Sequence, residues 1–183
     1  MCGEPIGAFS PRDLDEILLP NLDAAYNLAR WLVRNPHDAE DVVQDACLRA
    51  LRFASGYREG NPRSWLLRIV RNAAYSFLEK KRPSELTEEF DESLYVPERA
   101  DAEAELLRSV EARALQVALE ALPVRFREAL ILRELEGLSY KEIADVMDVP
   151  IGTVMSSLAR AREQLRERLL GGQGKEVRHG LRK

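Results

Sequence analysis

The chain has 183 residues, of which 45% are hydrophobic and 32% charged, with a net charge of −4, values that suit a soluble globular protein of one domain or two small ones. No apolar run approaches the roughly 18 residues of a membrane span, and no basic segment followed by an apolar core opens the chain. Neither membrane insertion nor secretion is therefore expected, and the isolated Cys2 and Cys47 read as free thiols in a reducing cytoplasm, with a bridge or thiol sensor as the lesser alternative.

Taken in order, Ser10-Pro11 starts a short helix, with proline at the first helical position, and Pro20-Asn21 interrupts it. Helix resumes from Leu22 to Val33, with Leu22, Ala25, Leu28, Ala29 and Leu32 on one face. Asn35-Pro36 opens a second helix to about Ala54, whose core stripe is Ala39, Val42, Val43, Ala46, Cys47, Ala50, Leu51 and Ala54. Its other side carries Asp38, Asp41, Gln44, Asp45 and Leu48. Acids in a first turn are favoured by the helix dipole, but Asp45 lies beyond that turn and Leu48 is apolar. Carboxylates around one leucine suit either a solvated face or a docking surface for a basic partner helix.

A loop with two glycines, Tyr57 and Arg58 leads to Asn61-Pro62, which starts a third helix to about Arg82. Arg68, Arg71, Asn72, Tyr75 and Arg82 share one face of it, with Trp65 near the start; Leu66, Ile69, Val70, Ala73 and Phe77 form the opposite, core face. Cations interleaved with aromatics suit nucleic acid, since cations hold phosphates and aromatics stack on unpaired bases. The plainer alternative packs Trp65 and Tyr75 at the helix margin.

Residues 83–100 are acidic, bounded by prolines and without a sustained helical face, which reads as a linker. Helix returns near Asp101 and runs to about Leu122, with Leu106, Val110, Leu115, Ala118, Leu119 and Leu122 apolar. Pro123 restarts the chain into a helix ending at Gly137, with Phe126, Leu130, Ile131 and Leu135 inward. Ser139 and Glu142 then make a capping box for a short helix with Ile143, Ala144 and Met147 on its apolar face. Asp148-Val149-Pro150 breaks it, and a longer helix follows with Val154, Leu158, Ala161 and Leu165 in register. A short helix, tight turn and longer helix is the layout of a helix-turn-helix, whose second helix enters the major groove. Thr153, Met155, Ser156, Ala159, Arg160 and Arg162 lie opposite the apolar stripe. The tail from Gly171 is glycine-rich and basic and is expected to lack structure.

The charge is unevenly distributed: +4 over residues 21–82, −8 over 84–111, zero over 112–170 and +3 over 171–183. A basic module and an acidic connector average into a mildly acidic chain. The expected fold class is therefore all-α: two small helical domains, 10–82 and 106–170, joined by an acidic linker at 83–105 and followed by a basic tail at 171–183.

The stretches DAEDVVQDACLRAL (38–51), NPRSWLLRIVRNAAYSFLEKKR (61–82) and ALPVRFREALILRELEGLSYKEIADVMDVPIGTVMSSLARAREQLRE (121–167), in that order and spacing, resemble the extracytoplasmic-function (group four) sigma factors of bacterial RNA polymerase. The resemblance implies an alternative sigma factor whose first module binds core polymerase and melts the minus-ten element, while the second reads the minus-thirty-five element. By matching position it gives core-polymerase binding to Asp41, Gln44, Asp45 and Leu48. Minus-ten contacts fall to Tyr57, Arg58, Asn61, Trp65, Arg68, Arg71, Asn72 and Tyr75, and minus-thirty-five contacts to Thr153, Met155, Ser156, Ala159, Arg160 and Arg162. Many members carry Lys or Arg at the positions of Met155 and Ser157, where this chain has no charge. The implied partners are core RNA polymerase, promoter DNA and an anti-sigma factor; no cofactor or metal is implied.

A stand-alone helix-turn-helix regulator is the alternative, but it has no need of the basic, aromatic face or the acidic linker. Enzymatic activity is not expected. His37 and His179 are far apart, no phosphate-binding glycine loop is present, and the acids at 38–45 read as helix-start residues rather than metal ligands.

Overall fold

The computed structural model describes residues 16–53, 61–81 and 102–176, the side chains of 102–110 and 171–176 excepted. Within them lie seven α-helices and no strand: α1 (Leu22–Val33), α2 (Pro36–Phe53), α3 (Pro62–Lys80), α4 (Ala102–Glu120), α5 (Val124–Glu134), α6 (Tyr140–Met147) and α7 (Ile151–Glu176). A 3-10 turn at Leu19–Asn21, with Pro20 inside it, precedes α1. The start expected at Ser10-Pro11 lies outside the described residues.

Local chemistry sets the helix ends. Arg34 adopts the left-handed conformation that closes α1 (φ 67°), its N–H reaching the Arg30 carbonyl at 2.9 Å. Asn35 then caps α2, its Oδ1 accepting from the backbone N–H groups of His37 and Asp38 at 2.9 and 3.2 Å. Asn61 does the same for α3 through the Arg63 N–H at 3.0 Å, with Pro62 at the position where its missing donor is harmless. At α6 the capping box is complete: Ser139 Oγ accepts from the Glu142 N–H, and Glu142 Oε2 from the Ser139 N–H. Gly137, at φ +67°, turns the chain into it.

α1, α2 and α3 pack mutually into the first module, and α5, α6 and α7 into the second, with α4 against α7. The modules also touch each other, α3 against α6 and α1 against α5. Their buried apolar residues form one continuous cluster, from Leu28, Ala46 and Leu66 in the first to Leu132, Ile143 and Leu158 in the second.

Several core expectations are corrected. Leu51, expected on the core stripe of α2, is exposed, because the buried row runs through Ala39, Val42, Ala46 and Ala50 while Val43, Cys47 and Leu51 lie on the row beside it. Leu115 and Leu135, also expected inward, are exposed. Leu135 follows the last residue of α5, where the helix ends before its side chain can turn inward. Leu67 and Ala74, not singled out beforehand, are fully buried because α3 is covered on two sides. Helix α4 begins at Ala102, next to the start expected near Asp101, whereas α7 continues through Gly171–Gly174 to Glu176 rather than ending near Leu170.

Candidate functional site

Three surfaces carry the residues singled out in the sequence. On α2, Asp41, Gln44 and Leu48 are exposed and Asp45 is half-buried, its carboxylate held 2.7 Å from Arg49 one turn on. Leu48 (54% exposed) is joined one turn on by Leu51 (54%), so the apolar part of this surface is larger than one leucine. Asp38 is not part of it: it pairs with Lys81 at the end of α3, at 2.7 Å. Cys47 is half-buried, and burial pushes its thiol pKa up. Cys2 lies outside the described residues.

On α3, the expected nucleic-acid face is present, but it is covered. Arg71 Nε donates to Glu128 of α5 at 2.5 Å, and Tyr75 Oη donates to the same carboxylate at 2.8 Å. Arg68 reaches Asp148, after α6, at 3.1 Å, and Asn61 Nδ2 donates to Glu142 of α6. Arg63 pairs with Glu136, which is buried between α5 and α6. Arg71 also lies over the Tyr75 ring, 4.6 Å from its centre. Asn72 stays exposed, and Trp65 is half-buried against the core, as the plainer reading of that aromatic had it. Tyr57 and Arg58 lie outside the described residues. An open cleft of about 500 Å³ remains between the modules, lined by Arg71, Tyr75, Arg125, Met147 and Asp148 among others.

Burial shifts the titratable groups here. Glu128 is fully buried, and desolvation raises its pKa against the lowering effect of Arg71 and the hydrogen bonds from Tyr75 and Arg71. Burial likewise raises that of Tyr75, reinforced by the Glu128 charge. Arg127, buried next to Glu128, is lowered to about 10, first by desolvation and then by Arg34; it donates to the Glu120 carbonyl at 2.9 Å. Arg34 of the first module donates to that same carbonyl.

On α7, Met155, Ser156, Ala159 and Arg160 are exposed and Thr153 half-buried, so the face expected to meet the major groove is open. Arg162 is also exposed but turned aside, donating to Glu134 of α5 at 2.8 Å. Arg160 has no partner among the described residues. Ser157 is only 3% exposed, so a basic residue at that position would point into the module rather than towards DNA. Of the two uncharged positions noted in the sequence, only Met155 lies on the outer face.

Glu128, Glu136, Glu142 and Asp148 were missed as partners of α3. A signal existed for Glu128: it falls one turn before Leu132 and three residues before Ile131, on the apolar face of α5, where a carboxylate needs a cation. For Asp148 and Glu142, ordinary cap and turn residues, the sequence held no such sign.

The arrangement defines a helix-turn-helix protein with a second, basic and aromatic helical face. Residues 18–83 match the family model for Sigma-70 region 2, and residues 112–165 that for Sigma-70, region 4. The chain is 36% identical over 167 residues to the ECF RNA polymerase sigma factor SigE of Mycolicibacterium smegmatis, covering 85% of this chain and 61% of that longer relative. It is 38% identical over 138 residues to the ECF RNA polymerase sigma-E factor of Escherichia coli K12, covering 70% and 72%. Among solved structures it resembles the sigma factor RpoE of Bartonella quintana, crystallised with the anti-sigma factor NepR (TM-score 0.71, 29% identity, 86% of this chain and 97% of that one). The chain belongs to the ECF RNA polymerase sigma factors.

Proposed function

We propose that this chain is an alternative sigma factor that joins core RNA polymerase and directs promoter-specific initiation, with no catalytic chemistry of its own. The observation that carries the reading is the co-occurrence of an exposed helix-turn-helix face on α7, a cationic and aromatic face on α3, and a carboxylate-rimmed apolar surface on α2. A stand-alone regulator needs only the first.

In this reading Asp41, Gln44, Asp45 and Leu48, extended by Leu51, dock on a basic helix of the largest polymerase subunit. Asn61, Trp65, Arg68, Arg71, Asn72 and Tyr75, with Tyr57 and Arg58 in the preceding loop, hold the minus-ten strand: guanidinium groups take phosphates, and the aromatics and amides take unstacked bases. Thr153, Met155, Ser156, Ala159 and Arg160 face the minus-thirty-five groove. Arg162 joins them only by leaving Glu134. The Bartonella relative was crystallised with an anti-sigma factor, and by that likeness an inhibitor of the same kind is expected here. No helix of the described residues is long and apolar enough to cross a membrane, in keeping with a cytoplasmic site of action.

The test is in vitro transcription with purified core polymerase on a promoter library. Sigma-dependent transcripts sharing two spaced elements support the reading. Failure to join the polymerase, with tight sequence-specific binding by the free protein, replaces it with the stand-alone regulator.

A further inference from the structure

The first turns of α7, residues 151–161, hold a single charged side chain, Arg160. Their inner row is Val154, Leu158 and Ala161, at most 1% exposed. On the outer side Ile151 (42% exposed), Met155 (51%) and the exposed Ala159 follow one another at intervals of four residues and make an apolar row. Ser156, next to Met155, donates its hydroxyl to the Thr153 carbonyl at 3.0 Å, so what it offers outward is an acceptor. Gly152 lies on the same surface. A Cβ there would meet nothing within 4 Å, and its φ is not positive, so the chain's own fold does not call for glycine. The bare position lets the helix backbone come close to what lies in front of it.

In the major groove, guanine and adenine present acceptors, cytosine and adenine present amino donors, and thymine presents a C5-methyl group beside its O4. An apolar side chain set against an amino group or an N7 strips it of water and gives it no partner, which is costly. Against a thymine methyl the same side chain gains contact and leaves no polar group unpaired. Met155 suits that contact best, because its unbranched, flexible thioether adapts to the shape it meets. A lone exposed apolar side chain asks for no explanation. Here the row is continuous with Ser156 and Arg160 on the face that meets the groove.

We propose that Ile151, Met155 and Ala159 read thymine C5-methyl groups, with Met155 as the specificity-determining residue. The minus-thirty-five element of this chain then carries thymine at the base pair facing Met155, and Arg160 supplies the cationic part of the readout. The inference deepens the assignment of α7 as the minus-thirty-five helix and rests on it.

The test uses holoenzyme assembled from the full chain and core polymerase, with a duplex promoter library randomised across the minus-thirty-five element. Selected promoters are remade with uracil, which pairs as thymine does but lacks the methyl, at one thymine at a time. A thymine should recur in the selected element, and uracil at that position should weaken holoenzyme binding about fourfold, the effect of one buried methyl group. With Met155→Ala the thymine-to-uracil ratio at that position should fall to near one. Met155→Arg, which puts a donor where the chain has none, should move the preference there from thymine to guanine. Both variants alter an exposed side chain, so the fold is kept.

An element without a recurrent thymine, or uracil tolerated at every position, overturns the methyl readout and leaves the sigma assignment standing. So does a uracil effect that persists unchanged in Met155→Ala, since the methyl then acts through DNA shape or another residue. If the chain does not join the polymerase and no promoter is selected, the sigma assignment falls and the methyl readout falls with it.

Discussion

The Tyr75 hydroxyl of α3 donates to the Glu128 carboxylate of α5 at 2.8 Å, joining residues 53 apart in sequence through a fully buried acid. Glu128 has Arg71 and Tyr75 on the α3 side and Arg125 on its own helix as charged or titratable neighbours, yet desolvation prevails and its pKa is raised.

That shift sets a pH dependence. A carboxyl whose folded pKa lies above its unfolded value binds more protons in the native state between the two. Its contribution to stability is fully present below the ordinary carboxylate range and declines as pH rises through the raised pKa. Denaturant melts of the full chain should show this decline from about pH 4.5 upward, and Glu128→Gln should flatten it. An unchanged pH profile in that variant would assign the dependence to other groups.

The docking surface on α2 should be separable from folding. Leu48→Asp or Asp45→Arg should abolish association with core polymerase, measured by co-purification, while shifting stability by less than about 0.5 kcal/mol for the exposed Leu48. Asp45→Arg also loses the Arg49 pair, a partly exposed surface contact worth roughly 0.2–1 kcal/mol. Normal association by both variants would take these residues out of the interface.

Arg160 is the exposed cation of the α7 face without a partner among the described residues. In the polymerase complex, Arg160→Ala should weaken promoter binding and reduce the log-salt slope by about one if it meets a phosphate. If it reads a guanine edge, discrimination at one base should fall by roughly 1–3 kcal/mol instead. Arg162→Ala should have the smaller effect, since its guanidinium is engaged by Glu134. The reverse order would mean that Arg162 swings out on binding.

The capping box of α6 sets how firmly the recognition helix is carried. Ser139→Ala should destabilise the chain by about 1 kcal/mol, read from chemical denaturation. Glu142, held below the ordinary carboxylate range first by the Ser139 backbone hydrogen bond and then by the Ser139 side chain, keeps the first of these in the variant, because alanine retains the backbone N–H. A variant as stable as the parent would show that tertiary packing alone holds this helix start.

The sequence by itself determined the helices and their inner faces. Asn35-Pro36, Asn61-Pro62 and the Ser139–Glu142 box are local signals, satisfied by backbone groups two or three residues away, and α1 runs over the residues that its apolar spacing marks out. The outward faces of α2 and α7 were legible for the same reason, since a core stripe on one side of a helix fixes what remains on the other. Periodicity reaches too far at the margin of a stripe, as at Leu51 beside the buried Ala50, and at a helix end, as at Leu135, because burial there depends on what the neighbouring elements cover. The state of α3 was beyond the sequence altogether. Its cations and Tyr75 were identifiable, but that they lie against Glu128, Glu142 and Asp148 follows from docking between modules, and acid–base complementarity between segments more than 50 residues apart leaves no periodic trace. Only the tertiary structure decided that the face expected to hold DNA is occupied by the protein's own carboxylates.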